Sequence, residues 1–277
     1  MGLEFYQISI QDYKRIISLL DENYGIDVSY YSKIVFRHRM TILMNYYKIK
    51  DIETLLSRLE KKQLTEDQIY QFLYIPITEM FRDPAFWRVL IDILKNHDKS
   101  RKIRIMFSGG FARNKELFSL LILLKELNIE DYVELTVTTP FLLSDNLLSV
   151  TLSKQKFELS QTNFNRLKLP MIDFAKYFDK DYVGNYKFKY LSDYIKTIND
   201  VSHDFMKDAM VRKQDIIFFR NQLLYFSLPK DAIIIRNLAQ TLRPKGLLFL
   251  GIRERINNPA DFKLKLVNDS EQIYSKL

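Results

Sequence analysis

Ile103-Arg-Ile-Met-Phe-Ser-Gly-Gly-Phe-Ala-Arg-Asn-Lys-Glu-Leu-Phe-Ser119 predicts a buried strand, a glycine turn and an apolar helix in direct succession. Many α/β proteins hold a nucleotide-like ligand at such a turn, because glycines let backbone N–H groups approach it. Here the turn has Gly109 and Gly110, but the cations Arg113 and Lys115 follow. The stretch therefore predicts an α/β fold and leaves open whether the turn still cradles a ligand.

The composition is that of a globular protein: 277 residues, 47% hydrophobic and 14% aromatic. No apolar run approaches the roughly 18 residues of a membrane span, and the N-terminus lacks a secretory pattern. We therefore expect a cytoplasmic protein without membrane insertion. The chain has no cysteine, and its three histidines are scattered, which excludes thiolate chemistry and predicts no metal site.

The net charge of +8 indicates an acidic partner, which could be a nucleic acid, an anionic lipid surface or an acidic protein face. An ordinary lysine-rich solvated surface would give the same sum. The sequence has no arginine-rich tract and no ladder of alternating aromatic and basic residues. We therefore predict no nucleic acid, and the charge alone does not choose between a lipid surface and a protein face.

The first 76 residues carry helical signals throughout. Apolar residues recur at spacings of three and four, as in Ile16 and Leu20 or Leu55 and Leu59. Gly25 is a typical helix end, and Thr65-Glu-Asp-Gln68 has the form of a capping box. These patterns predict an all-helical N-terminal domain over residues 1–76.

After Pro76, strand and helix patterns alternate, which predicts βαβ units. The predicted strands are Ile103–Phe107, Val133–Thr138, Asp215–Phe219 and Gly246–Gly251, and the predicted helices are Pro84–Asn96, Lys115–Leu127, Leu142–Leu152 and Pro229–Thr241. We therefore predict a doubly wound, mostly parallel sheet of Rossmann-like type over residues 77–277. Alternation in Asn185–Tyr190 predicts a small inserted antiparallel β subdomain within residues 168–208.

Four segments, in order, resemble the chemotaxis receptor methyltransferases (CheR). Gly25–Arg39 is similar to a stretch of that family's helical N-terminal domain, and Ile77-Thr-Glu-Met-Phe-Arg-Asp-Pro84 to its Thr-x-Phe-Phe-Arg-Asp-Pro signature. Asp215–Phe226 resembles Asp-x-Ile-x-Cys-Arg-Asn-x-x-x-Tyr-Phe, and Leu242–Gly251 resembles Leu-Arg-Pro-Gly-Gly-x-Leu-x-Leu-Gly. The resemblance implies a Rossmann-like methyltransferase that esterifies glutamates of chemoreceptors with S-adenosylmethionine.

The same resemblance shows departures at the cofactor loop. The family loop is roughly Ser-Ala-Gly-Cys-Ser-Thr-Gly-Glu-Glu-Pro-Tyr-Ser, and Gly110, Glu116 and Ser119 match it. Asn114 replaces its second glycine and Lys115 its first glutamate. A lysine in place of a glutamate would repel a cationic, amine-bearing cofactor.

Two prolines mark further departures. Pro140 stands where the family has an aspartate that takes the ribose hydroxyls, and Pro76 stands where it has an asparagine. An unpaired polar ligand group forfeits about 1–3 kcal/mol. The changes therefore concentrate on one ligand, and we expect S-adenosylmethionine to bind weakly or not at all.

By resemblance, the site residues fall into three groups. The catalytic pair is Arg82 and Tyr225; the cofactor-binding residues are Thr78, Gly110, Glu116 and Asn221; the partner-binding residues are Lys33, Arg37 and Arg39. The last group would dock on an acidic surface such as a chemoreceptor helix bundle or another signalling protein.

Each residue also has a structural interpretation that the sequence leaves open. Arg82 could form a salt bridge, Tyr225 could be a core aromatic, and Asn221 could cap a helix. Glu116 could simply favour the positive end of its helix dipole. Lys33 and its basic neighbours could form an ordinary solvated face.

Two functions therefore stay open. One is a protein-glutamate O-methyltransferase of chemotaxis-type signalling with impaired activity, which family resemblance favours. The other is a catalytically inactive pseudo-methyltransferase that serves as a protein-interaction module, which the concentration of changes on the cofactor favours.

Overall fold

The computed structural model describes residues 6, 8–73, 79–98, 100–108, 115–139, 150–169, 173–189, 198–207, 209–210, 213–228 and 230–277. The chain divides into two compact units. The helical unit comprises Met1–Ile75 and Leu224–Ala232, and the sheet unit comprises Pro76–Leu223 and Ile233–Leu277.

The helical unit contains α1 (Ile10–Tyr24), α2 (Lys33–Tyr46), α3 (Ile52–Glu60) and α4 (Glu66–Leu73). Local sequence sets their ends. Ser9 and Asp12 form a reciprocal capping box at the start of α1, and Gly25 ends that helix with a left-handed φ of 64°. Thr65 and Gln68 form the predicted second box, with the Gln68 N–H donating to Thr65 Oγ1 at 3.2 Å.

The segment Leu224–Ala232 belongs to the helical unit through backbone pairing. The Ser32 N–H donates to the Tyr225 carbonyl at 2.6 Å, and the Ser227 N–H donates to the Tyr30 carbonyl at 3.0 Å. Rings of Tyr31 and Phe226 pack with centroids 5.6 Å apart. These contacts join residues about two hundred positions apart, so helical periodicity alone does not reveal them.

The sheet unit alternates helices and strands as predicted. Its helices are α5 (Pro84–Lys95), α6 (Lys115–Glu126), α7 (Lys154–Asn165) and α8 (Asp231–Thr241, which begins in the helical unit). Its strands are β1 (Ile103–Ser108), β2 (Val133–Thr139), β3 (Thr151–Leu152), β4 (Phe178–Lys180), β5 (Tyr186–Phe188), β6 (Ile198–Ser202), β7 (Gln214–Phe218), β8 (Leu242–Phe249), β9 (Leu264–Asn268) and β10 (Ile273–Lys276).

Seven strands form one sheet in the order β6-β2-β1-β7-β8-β10-β9. The first five in this order are parallel, and β10 runs antiparallel to both neighbours. The chain moves outward from β1 through β2 to β6, then returns to β7 on the other side of β1. This reversal confirms the doubly wound prediction and makes the carboxyl ends of β1 and β7 the topological switch point, where open α/β sheets bind ligands.

A three-stranded antiparallel sheet, β3-β5-β4, lies outside the large sheet. It confirms the predicted inserted β subdomain, although the insertion begins earlier than residue 168. Thr151 and Leu152 pair with Lys187 and Tyr186, so the predicted helix Leu142–Leu152 is wrong at its end. Cross-strand pairing, which periodicity does not report, decides the conformation there; residues 142–149 lie outside the described residues.

Gly246, in β8, lies close to backbone oxygens of β7 and of its own strand, which leaves no room for a side chain. A Cβ there would lie 2.9 Å from the Arg243 carbonyl oxygen and 3.1 Å from that of Gln214. We expect Gly246→Ala to lower the free energy of unfolding by about 1–3 kcal/mol, because backbone atoms must shift.

Urea denaturation followed by tryptophan fluorescence measures this change, because Trp87 is the chain's single tryptophan and is buried in α5 of the sheet unit. Lys265→Ala, at an exposed position of β9, is the control and should change stability by less than about 0.5 kcal/mol. Equal effects of the two substitutions would contradict the steric argument.

Candidate functional site

The candidate site lies at the carboxyl ends of β1 and β7. The Gln222 side-chain amide, just beyond β7, donates to the Ser108 carbonyl at the end of β1. This bond holds the two strand ends together at the switch point. The loop 109–114, with Gly110 and Asn114, lies outside the described residues, as do Thr78, Pro76 and Pro140.

Arg220 is the central charge of this edge. Its side chain is fully buried, and the guanidinium donates to Glu116 at the start of α6 and to Asp83, 2.8 Å away, before α5. The guanidinium carbon also lies 3.9 Å from the ring centroid of Phe86. One arginine therefore binds the starts of two helices to the end of β7.

Burial dominates the titration of the surrounding acids. It raises the pKa of Glu116, and the Arg220 charge opposes that rise without cancelling it. Burial likewise raises the pKa of Glu271, which has Arg220 and Asp83 as charged neighbours. Glu271 is buried and its Oε2 has no hydrogen-bond partner among the described residues.

Asn221 and Gly251 form a second part of the site. Asn221 has a left-handed φ of 56°, and its N–H donates to Glu254 Oε2 at 2.8 Å. The Gly251 N–H donates to the same oxygen at 2.5 Å. A Cβ on Gly251 would lie 2.5 Å from Asn221 Oδ1 and 2.9 Å from Glu254 Oε2, so any larger residue at position 251 would displace these two side chains.

Besides Glu271 Oε2, two buried polar atoms at this edge have no partner in the described part of the chain: Thr138 Oγ1 near the end of β2 and Asn221 Nδ2 beyond β7. Buried polar groups are normally hydrogen-bonded, so a ligand that satisfied both atoms would be favoured here. The residues present thus fit a polar ligand in the switch-point crevice. They offer it a hydroxyl and an amide.

Three of the carboxylates found near the crevice are already bound within the protein, whereas Glu271 keeps an unpartnered Oε2 among the described residues. Asp83 and Glu116 hold Arg220, and Glu254 holds the N–H groups of Asn221 and Gly251. The predicted cofactor contact Glu116 is thus 4% exposed and ion-paired. Neither the dipole interpretation nor the ligand interpretation of Glu116 included an ion pair with Arg220. The signal that could have indicated it is an arginine directly after the apolar run Ile216–Phe219.

The two predicted catalytic residues lie in different units. Arg82, in the sheet unit, is 43% exposed and lies 3.8 Å from Glu79 of the same unit. Tyr225, in the helical unit, is 3% exposed and packs on the Tyr31 ring, as the core interpretation predicted.

The predicted docking residues separate by burial. Lys33 is exposed and Arg37 is partly buried, both on α2. Arg39 is buried, donates from Nε to the Phe72 carbonyl, and has a pKa lowered by burial. Arg39 therefore does not extend an exposed docking face, because α4 supplies its partner. The charge spacing alone could not show which side of α2 is covered.

Residues 77–270 match the family described as CheR methyltransferase, SAM binding domain. The chain belongs to the CheR methyltransferase family. The family predicted from four sequence segments is confirmed, and S-adenosylmethionine is the cofactor of its binding domain.

Similar CheR proteins match along nearly their whole length. The chemotaxis protein methyltransferase of Listeria innocua is 24% identical, covering 94% of this chain and 95% of that protein. That of Vibrio parahaemolyticus is 25% identical and covers 98% of both. The solved N-methyltransferase NodS from Bradyrhizobium japonicum is 13% identical to this chain, with a TM-score of 0.32. The match covers 70% of this chain and 95% of that chain.

In the described part of this CheR chain, no helix is long and apolar enough to cross a membrane. Within the same residues, no group of three or more His, Asp or Glu side chains could hold a metal ion.

Arg220→Met should destabilise the sheet unit by about 3–5 kcal/mol at neutral pH, because it leaves Glu116 and Asp83 buried without their cation. The loss should shrink on acidification. Burial raises the pKa of Glu116, so without the Arg220 charge this carboxylate binds a proton more readily in the folded variant than in the unfolded chain, and stability rises as pH falls.

Thermal unfolding between pH 7 and pH 4.5 measures both effects. Arg243→Met is the matched control, because Arg243 is partly exposed and lies 3.1 Å from Asp215, so its loss should cost less than about 1 kcal/mol. A pH-independent loss in Arg220→Met would show that packing, not charge, is the role of Arg220.

Proposed function

We propose that this CheR-type chain is a protein-glutamate O-methyltransferase of chemotaxis-type signalling whose activity is impaired by weak binding of S-adenosylmethionine. The proposal rests on one observation. Lys115 begins α6 where the family pattern has a glutamate, and the neighbouring Glu116 is buried in its ion pair with Arg220.

The consequence is electrostatic. A cofactor with a sulfonium and an amino group gains from nearby carboxylates, but Asp83, Glu116 and Glu254 are each committed to protein donors. Lys115 adds a like charge at the same helix end. The crevice still offers Thr138 and Asn221 to uncharged groups of the ligand. Binding is therefore reduced and not abolished.

Methyl transfer to a carboxylate needs little acid–base chemistry, because the sulfonium is already a good leaving group. Orientation of the acceptor is the larger requirement. Arg82, with 43% of its side chain exposed, is the group that we assign to it, since a guanidinium can grip a carboxylate through two bonds. We assign Tyr225 no more than a supporting role, because it is buried.

The partner in this proposal is an acidic protein surface such as a chemoreceptor helix bundle, and the location is the cytoplasm. The net charge of +8 and the exposed Lys33 on α2 support it. A second candidate, an inactive interaction module, is favoured by the retained Arg220 network in a chain whose changes concentrate on the cofactor.

Calorimetric titration with S-adenosylhomocysteine tests the proposal. We expect binding weaker than micromolar, and we expect Lys115→Glu to tighten it about tenfold by replacing a repulsive charge with an attractive one. The same variant should raise the rate of methyl transfer to receptor glutamates.

Lys102→Glu is the control, because it makes the same charge change on an exposed residue at the amino end of β1, away from the crevice. Micromolar affinity of the unmodified protein would contradict impairment. No heat at millimolar ligand, in the protein and in Lys115→Glu alike, would leave the interaction module as the function.

A further inference from the structure

Four lysines lie side by side at the amino-terminal edge of the large sheet, opposite the crevice. Lys213 precedes β7, Lys245 lies early in β8, Lys276 ends β10, and Lys263 precedes β9. The four strands are consecutive in the sheet. Antiparallel pairing places Ser275, near the end of β10, opposite Leu247 of β8. It also places Lys276 opposite Leu264, the residue that follows Lys263. We call these four lysines the basic edge.

The basic edge is held in place and is only partly neutralised. Lys276 Nζ donates to the Phe262 carbonyl at 3.2 Å, and Lys213 Nζ donates to the Gln240 carbonyl. Burial lowers the pKa of Lys276, and the charges of Lys263 and Lys213 lower it further. An anionic partner would relieve the repulsion among the ammonium groups of Lys276, Lys263 and Lys213.

Among the described residues, Asp215 and Asp261 are acids close to this edge in the sequence. Asp215 is shared between Arg101, at 2.8 Å, and Arg243, at 3.1 Å. Asp261 is exposed and precedes Lys263 by two positions. Lys213, Lys245 and Lys263 are all exposed, so their charges face solvent.

Lys245 has a backbone conformation that is unfavourable for a residue with a side chain. Its φ is 63°, in the left-handed region that glycine adopts without cost. The CheR pattern Leu-Arg-Pro-Gly-Gly has glycine at this position, whereas this chain has Leu242-Arg-Pro-Lys-Gly246. Lys245 therefore carries a conformational cost that glycine would not, as does Lys263 of the same edge, with a φ of 54°.

We propose that the basic edge docks an acidic helical segment of a partner protein. Neighbouring strands are about 4.8 Å apart, close to the roughly 5–6 Å between the Cβ atoms of residues three or four positions apart on a helix. Nucleic acid fits less well, because the exposed members of this edge are lysines with no aromatic ring among them for base stacking. A partner bound here leaves the opposite, ligand-binding edge of the sheet open.

Fluorescence anisotropy with a labelled helical peptide, carrying glutamate at every third and fourth position, tests the proposal. The double variant Lys245→Glu with Lys263→Glu should bind at least about tenfold more weakly. Lys61→Glu with Lys62→Glu makes the same charge change at exposed positions of the helical unit and should alter binding less than about twofold.

A second variant separates docking from folding. Lys245→Gly relieves the left-handed strain, so its melting temperature should rise while its affinity for the peptide falls by roughly threefold. Equal losses in both double variants would show binding to net charge alone and would overturn the proposal. In a competition experiment, displacement of the labelled peptide by an oligonucleotide at a lower concentration than by unlabelled peptide would also overturn the proposal. None of these readouts depends on S-adenosylmethionine, so the proposal and the impaired methyltransferase can fail separately.

Discussion

A buried ionic cluster organises the functional edge of this protein. Arg220 has no solvent contact and is bound by Glu116 and Asp83, which lie at the starts of α6 and α5. Burying three charges is costly unless each has a close partner, so the cluster tolerates few arrangements. The edge is thereby held in one geometry, with Phe86 against the guanidinium face.

This constraint also determines what the crevice can offer. A carboxylate that neutralises Arg220 is not available to a cationic ligand, and Glu254 is likewise committed to the N–H groups of Asn221 and Gly251. Residues 77–270 match the CheR methyltransferase family, and the reduced attraction for the cofactor is what we propose from these commitments. Structural and ligand-binding demands compete here for the same few side chains.

The sheet separates two kinds of surface. Parallel strands direct all their carboxyl ends to one edge, which holds the crevice with its buried acids. The amino ends then fall at the other edge, where the exposed Lys245 and Lys263 accumulate charge. The topology thus separates the switch-point crevice from the exposed lysines, which lie at opposite edges of one sheet.

Sequence reasoning was strongest where the signal is local. The capping box at Thr65 and the helix end at Gly25 depend on neighbouring residues, and both are present. The predicted helix ending at Leu152 was wrong because strand pairing with Tyr186 overrides local preference. Arg39 was expected on an open face, but α4 covers it through the Phe72 carbonyl.

By itself, the sequence determined the family and the alternation of strands and helices, and it predicted the departures from the cofactor pattern. These depend on residue identity and short-range order. Only the tertiary structure decided that Glu116 is ion-paired with Arg220, 104 positions away, and that four lysines from four strands share one edge. Such contacts arise when segments that are distant in the sequence meet in the sheet. Neither hydrophobic periodicity nor a short motif shows which distant residues will be neighbours.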